Sequence, residues 1–283
     1  MTPYFEAKRL SLSILLILGA QKSGTTSLFD LLCLDSAFCG SRVKETGFFS
    51  KNIFYNKGMD WYLSQFENYS ENSIRFEATP EYLYYPYVAE RVYRSGYNYK
   101  FIVIFREPAA RCYSAWNMFK TFNKSCPNEI FNIYTQFANP KERESIKELL
   151  FTKDYPTFKK AVLDDMERYK KGVNELEPSF VRRGIYYDQI SNWLKFFKKE
   201  DFLFFEQSEL INTLAIQKRI GCFLQIPNHK VGEVSLSISN KGIYNSERSE
   251  EENETLAMLK TFFRPHNEKL FNLVGERYDW DNQ

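Results

Sequence analysis

Apolar positions fall into two rhythms along the chain. Ser11-Leu-Ser-Ile-Leu-Leu-Ile-Leu18 is an almost unbroken apolar run that stops at Gly19, the signature of a short strand buried on both faces. Similar runs predict strands at 12–18, about 74–78, 100–105 and 202–206. Between them the apolar spacing changes to three and four, which predicts helices at 25–34, 86–95, 108–119 and 209–223. Residues 185–197 place Tyr186, Ile190, Trp193, Leu194 and Phe197 on one helical stripe. In 250–263 Leu256, Leu259 and Phe263 repeat that spacing after the acidic helix start Glu250-Glu251-Glu252, and Pro265 is placed to begin a second short helix. Residues 120–156 show no clear period, contain Pro127, Pro140 and Pro156, and carry a Lys/Glu-rich patch at 141–148. Strands alternating with helices predict an α/β fold, a central parallel sheet flanked by helices, in a single domain covering 1–283.

The turn after the first strand reads Gly19-Ala-Gln-Lys22-Ser23-Gly24-Thr25-Thr26. A strand that ends in a glycine-containing turn and opens a helix directs backbone N–H groups, the helix dipole and here one lysine at a single spot, which suits an anion. The loop of nucleotide triphosphatases is G-x-x-x-x-G-K-[ST], with lysine directly after the second glycine. Here Thr25 holds that place and Lys22 lies inside the loop, so an ATP or GTP loop is disfavoured. A P-loop kinase remains a remote alternative.

A second anion motif follows the strand at 100–105. Residues 99–116 contain Arg106, Pro108, Arg111, Ser114 and Trp116. Pro108 suits a first helical position, where its missing N–H loses no bond. A guanidinium at the strand end and a hydroxyl two turns into the helix can converge on one phosphate. Arg111 is expected to support the turn or pair with an acidic neighbour.

Both motifs, in this order, resemble those of sulfotransferases that use 3′-phosphoadenosine 5′-phosphosulfate (PAPS), and the resemblance runs over most of the chain. It is nearest to the heparan-sulfate-type carbohydrate sulfotransferases. Lys44-Glu45-Thr46-Gly47-Phe48-Phe49 resembles their K-E-x-x-F-F segment, and Glu77-Ala-Thr-Pro-Glu-Tyr82 their E-K-[ST]-P-x-Y stretch, with Ala78 in place of the lysine. Arg183-Gly184-Ile-Tyr186, Lys241-Gly242, Phe262 to Asn267 and Tyr278-Asp279-Trp280 resemble further segments. The resemblance implies a phosphosulfate loop of Lys22, Ser23, Gly24, Thr25 and Thr26. It implies a 3′-phosphate held by Arg106 and Ser114, a loop at Lys241 and Gly242 closing over the donor, and Glu45 as general base. Lys22 is then placed to stabilise charge on the leaving phosphate oxygen. A terminal sulfonate carries one negative charge where a γ-phosphate carries about two at neutral pH, so no metal is expected. The product would be 3′-phosphoadenosine 5′-phosphate (PAP).

The chain departs from the lumenal members of that family in its cysteines. Five occur, at 33, 39, 112, 126 and 222, with no framework spacing. All five are expected to be small buried apolar residues in a reduced compartment. No C-x-x-C occurs, and the histidines are His229 and His266 alone, which disfavours a metal site.

Composition limits the partners. The net charge of +2 with a pI near 8.1 gives no general attraction to polyanions, so no nucleic-acid partner is expected. The run Leu10–Leu18 is shorter than the about 20 apolar residues that span a bilayer, and a soluble, cytoplasmic protein is expected, with a lumenal catalytic domain lacking its anchor as the alternative. The acceptor is expected to present a hydroxyl on a sugar or glycoconjugate. The alternatives are a small-molecule or lipid alcohol, or binding of PAP without transfer. Residues 120–156 are expected to form a lid over the acceptor or a surface excursion with one amphipathic helix.

Overall fold

The four runs expected to be strands are strands, and a fifth joins them. The structure, a computed structural model, describes residues 13–125, 127–136, 140–151, 153–172, 179–226 and 247–280. The strands are β1 (Ser13–Gly19), β2 (Phe38–Gly40), β3 (Ile74–Glu77), β4 (Asn98–Phe105) and β5 (Phe202–Glu206). They form one sheet in the order β2-β3-β1-β4-β5, with every neighbouring pair parallel. Only β2 escapes the sequence pattern, because three residues are too few for an apolar run to register.

The chain divides into two compact units, Met1–Arg106 with Gln189–Asn240, and Glu107–Asp188 with Lys241–Gln283. The sheet belongs to the first. Leu15, Ile17, Phe76, Ile102, Ile104 and Phe205 pack with Leu28, Leu31 and Leu32 of helix Thr25–Cys33 and with Ile216 and Ile220 of helix Thr213–Phe223. On β4, Phe101 meets Trp193 and Phe197 edge-on and stacks on Phe202. Apolar residues on both faces explain why β1 reads as a continuous apolar run, since parallel strands are covered twice. The helix expected at 209–223 is split: a 3-10 turn covers Gln207–Ile211, and the α-helix begins after Asn212, whose side chain accepts the Ala215 N–H.

The second unit is helical. Helix Pro108–Ser125 supplies Cys112, Trp116 and Phe119 to a core shared with Phe158, Val162, Leu259 and Phe263. The described residues between 120 and 150 are largely helical: helix Pro108–Ser125 runs into them, and helices Pro127–Thr135 and Pro140–Leu150 follow, each opened by the proline that masked the pattern. Ile146 and Leu150 join the unit's core. The second short helix expected at Pro265 is not formed; one helix runs Glu250–Val274 with Pro265 inside it. A proline there forfeits one backbone bond, while buried side chains on both sides, Leu259 and Phe263 before it and Leu270 and Val274 after it, hold the helix. Its start is capped reciprocally by Ser249 and Glu252. Arg183-Gly184 is explained by close approach: a Cβ on Gly184 would stand 2.7 Å from Phe263 Cζ and 3.1 Å from Pro108 Cβ. The preceding turn is fixed by Asp165, which accepts from Arg182 Nε at 2.7 Å and from the Val181 N–H at 2.6 Å. Arg111 is fully buried and donates from Nη2 to the Phe180 carbonyl, the supporting role expected of it.

Candidate active site

The strand order places the ends of β1, β3 and β4 side by side. The chain leaves β1 toward β2 and β3 on one side and later crosses to β4 on the other, so the crevice outside the carboxyl end of β1 is the switch point where such sheets take ligands. Hydrogen bonds tie the loops there together. Ala20 N–H donates to Ile104 O at 2.8 Å, Leu83 N–H to Leu18 O at 3.0 Å, and Arg106 Nη1 to the Lys22 carbonyl at 3.0 Å.

Residues 19–26 form an open helix start. Gly24 caps helix Thr25–Cys33 at φ 94 and ψ 18, no side chain caps the first N–H groups, and the first turn holds no acid. Those amides and the dipole therefore remain directed at one spot. Lys22 has φ 68. Burial, and then the Arg106 guanidinium, hold its ammonium below the 10.5 of an ordinary lysine. Among the described residues no carboxylate forms an ion pair with Lys22. Ser23 is buried, and its Oγ has no hydrogen-bond partner within the protein. Two cations, an uncapped helix start and an unpartnered hydroxyl fit a polyanionic group of the phosphosulfate kind.

Beside this loop lies the Glu45 segment. Ala78 N–H donates to Lys44 O at 3.0 Å and Gly47 N–H to Thr79 Oγ1 at 3.3 Å, which lays residues 44–47 along the exit of β3. The Glu45 side chain is 55% exposed and pairs with Lys44 Nζ at 2.6 Å. A carboxylate with its oxygens in reach of solvent and a displaceable counter-ion can accept a proton from an entering hydroxyl. Ala78, which stands where the resembling stretch has a lysine, is fully buried.

Sequence reasoning assigned no role to Glu77, yet it is the most heavily bonded carboxylate here. It is fully buried and accepts from Thr46 Oγ1 at 2.8 Å, Tyr82 OH at 2.9 Å, Tyr62 OH at 3.2 Å, Thr79 Oγ1 at 2.5 Å and Thr46 N–H at 3.4 Å. Burial raises its pKa, opposed by the hydrogen bonds from Thr79, Thr46 and Tyr82. Tyr62 and Tyr82 are held well above the usual tyrosine range, again by burial first, so both stay protonated as donors. The available signal was an acidic residue ending the strand Ile-Arg-Phe-Glu, with hydroxyl residues at 79 and 82.

Of the remaining expected residues, Ser114 is buried in helix Pro108–Ser125 of the second unit. Thr25 is buried and Thr26 half-buried in the first turn after the loop. Lys241 and Gly242 lie outside the described residues, as does Cys126. The cysteines do not behave alike: Cys39 and Cys112 are buried as expected, but Cys33 and Cys222 are exposed, because each falls on the solvent side of a helix end. Among the described residues no cluster of His, Cys, Asp and Glu is arranged to hold a metal.

The fold is a parallel α/β sheet whose switch-point crevice is lined by an open helix start and two cations. The sulfotransferase domain family matches residues 13–283, and the chain belongs to it. It is a transferase enzyme of a family whose general sulfuryl donor is PAPS. Heparan sulfate glucosamine 3-O-sulfotransferase 5 of Homo sapiens is 26% identical over 285 residues, covering 94% of this chain and 73% of that protein. The membrane-associated sulfotransferase kil1 of Dictyostelium discoideum is 22% identical over 331 residues, covering 98% and 68%. The crystal structure of a sulfotransferase from Alicyclobacillus acidocaldarius shares the fold, with a TM-score of 0.64 at 19% identity over 96% of this chain and 100% of that one. These relatives overturn the cytoplasmic placement: they are heparan sulfate sulfotransferases and a membrane-associated enzyme. No helix among the described residues is long and apolar enough to cross a membrane. That observation does not restore the placement, since the relatives extend beyond the matched region.

Proposed function

We propose that the protein transfers a sulfuryl group from PAPS to a hydroxyl of a carbohydrate acceptor, with Glu45 as general base. The observation that carries this reading is the junction of the Lys22 loop with Arg106, Arg106 Nη1 lying 3.0 Å from the Lys22 carbonyl, beside the segment that bears Glu45. When bound, the donor supplies sulfur, whose bond to the 5′-phosphate oxygen breaks as the acceptor oxygen bonds to it. Residues 22–26 hold the phosphosulfate through backbone amides, the Ser23 hydroxyl and the Lys22 ammonium. Arg106 holds the 3′-phosphate; the resemblance assigns Ser114 to the same phosphate and Lys241 and Gly242 to a loop over the nucleotide. Glu45 gives up its pairing with Lys44 and takes the acceptor's proton. Lys22 keeps positive charge beside the leaving oxygen, the electrostatic share of catalysis. The carbohydrate acceptor is supported by relatives that act on heparan sulfate glucosamine.

The test is sulfate transfer from labelled PAPS together with PAP binding by calorimetry, for the wild type and for Glu45→Gln. A general base contributes about 10²- to 10⁴-fold, so turnover should fall by that much with PAP affinity unchanged. A Glu45→Gln enzyme that turns over normally removes Glu45 from the role. PAP binding with no transfer to any sugar, small alcohol or lipid alcohol would instead support a nucleotide-binding protein without transfer.

A further inference from the structure

Glu77 has no contact with solvent and no cation beside it among the hydrogen bonds it makes, yet five donors converge on it. The amides that directly follow Glu45 explain why. Thr46 N–H donates to Glu77 itself, Gly47 N–H to Thr79 Oγ1 at 3.3 Å, Phe48 N–H to Thr46 Oγ1 at 3.2 Å, and Phe49 N–H to Tyr82 OH at 3.2 Å. Each of those three hydroxyls in turn donates its proton to Glu77. An acceptor-only carboxylate thus fixes the direction of three hydroxyl protons, which leaves the hydroxyl lone pairs for three consecutive amides.

We propose that Glu77 is a positioning residue for sulfuryl transfer, anchoring residues 46–49 so that Glu45 is presented at one place over the end of β3. The inference rests on the reading of Glu45 as the base. A glutamine at 77 has one oxygen in place of two and adds two N–H donors. The Thr46 N–H or the hydroxyls then face a donor, the proton order of the network is lost, and the segment loosens without any change to the Lys22 loop. Misplacing a catalytic group by about 1 Å can cost on the order of 10²-fold in rate.

The experiment compares Glu77→Gln, Tyr82→Phe and Tyr62→Phe with Glu45→Gln, reading kcat, acceptor KM, the acid limb of the kcat–pH profile, PAP affinity and urea stability. Glu77→Gln should lower kcat by roughly 10- to 100-fold, shift the acid limb, and leave PAP affinity within about twofold of wild type. Tyr82→Phe removes the hydroxyl that holds the Phe49 amide and should show the same pattern more weakly. Tyr62→Phe removes a donor that holds no amide of the segment and should lose less turnover than Tyr82→Phe at similar stability. The proposal is overturned if the turnover losses of the three simply follow their losses of stability, or if Glu77→Gln keeps wild-type kcat and pH profile. Should Glu77→Gln fail to fold, the comparison of Tyr82→Phe with Tyr62→Phe decides the matter alone. An active Glu45→Gln enzyme refutes the base reading, whereas an inactive one beside a normal Glu77→Gln enzyme refutes only the positioning role.

Discussion

Replacing Gly24 by alanine tests the anion loop at its most constrained point. Gly24 sits at φ 94, and a Cβ there would lie 2.5 Å from Leu210 Cδ1. Two costs add. Holding an L-residue in that backbone region costs on the order of 1–3 kcal/mol. Moving the Leu210 end, or shifting the helix start away from it, adds the about 1–3 kcal/mol typical of inserting a methyl group into packed surroundings. The substitution should therefore destabilise by about 2–6 kcal/mol, read as a drop in the urea midpoint. Leu210→Ala in the same chain removes the clash but not the backbone cost, so the double variant should recover the second part and keep the first, a coupling that a double-mutant cycle resolves. Because Thr25 and Thr26 follow directly, the loop amides move as well, and calorimetric PAP affinity should fall in both variants. A Gly24→Ala protein within about 0.5 kcal/mol of wild type and with unchanged PAP affinity would refute the geometry assigned to the loop.

Three further outcomes follow from the same geometry. Arg106→Ala should weaken PAP binding about 10- to 100-fold, the loss of a charge-assisted contact, and weaken the analogue lacking the 3′-phosphate much less. Equal losses would show that Arg106 acts only by bracing the Lys22 carbonyl. Lys22 binds its proton less readily in the fold than at 10.5. Between its lowered pKa and 10.5 the unfolded chain therefore binds more protons, and stability gains from this group as pH rises through that window. A bound anion favours the protonated form, so calorimetry in buffers of different ionisation enthalpy should show proton uptake on PAP binding there and affinity falling with rising pH, both absent in Lys22→Met. Asp165→Asn breaks the buried pair with Arg182 and should cost about 3–5 kcal/mol in urea unfolding; a loss under about 1 kcal/mol would mean that water already reaches the pair.

The first strand, its turn and the helix start that follows were readable because their pattern is local. Residues 19–26 need only consecutive positions to make a strand end, a turn and a helix start, so Gly24, Lys22 and the first-turn threonines carried the message in order. Arg106 and the helix opened by Pro108 were legible for the same reason. Elements that depend on distant partners were not. The strand β2 is three residues long and exists because Phe38, Cys39 and Gly40 pair with β3. Helix Glu250–Val274 runs through Pro265 because packing on both sides outweighs one lost bond. Prolines 127 and 140 read as breaks but open helices.

Glu77 shows why site residues can escape a motif reading even when they lie inside a quoted motif. Its role comes from hydroxyls at 46, 62, 79 and 82, which the fold gathers from the loop after β2, a short helix and the exit of β3. No spacing in the sequence announces that Thr46 and Tyr82 lie 3.1 Å apart. The cost of burying a carboxylate without a cation is several kcal/mol unless hydrogen bonds offset it, and the chain meets that cost with five donors at a single position. Such an arrangement is hard to account for by stability alone, since a well-packed apolar residue would avoid the cost altogether. What an apolar residue cannot do is orient three hydroxyls so that successive backbone amides find acceptors. The carboxylate therefore secures the path of residues 46–49, and that path sets where the preceding glutamate can stand.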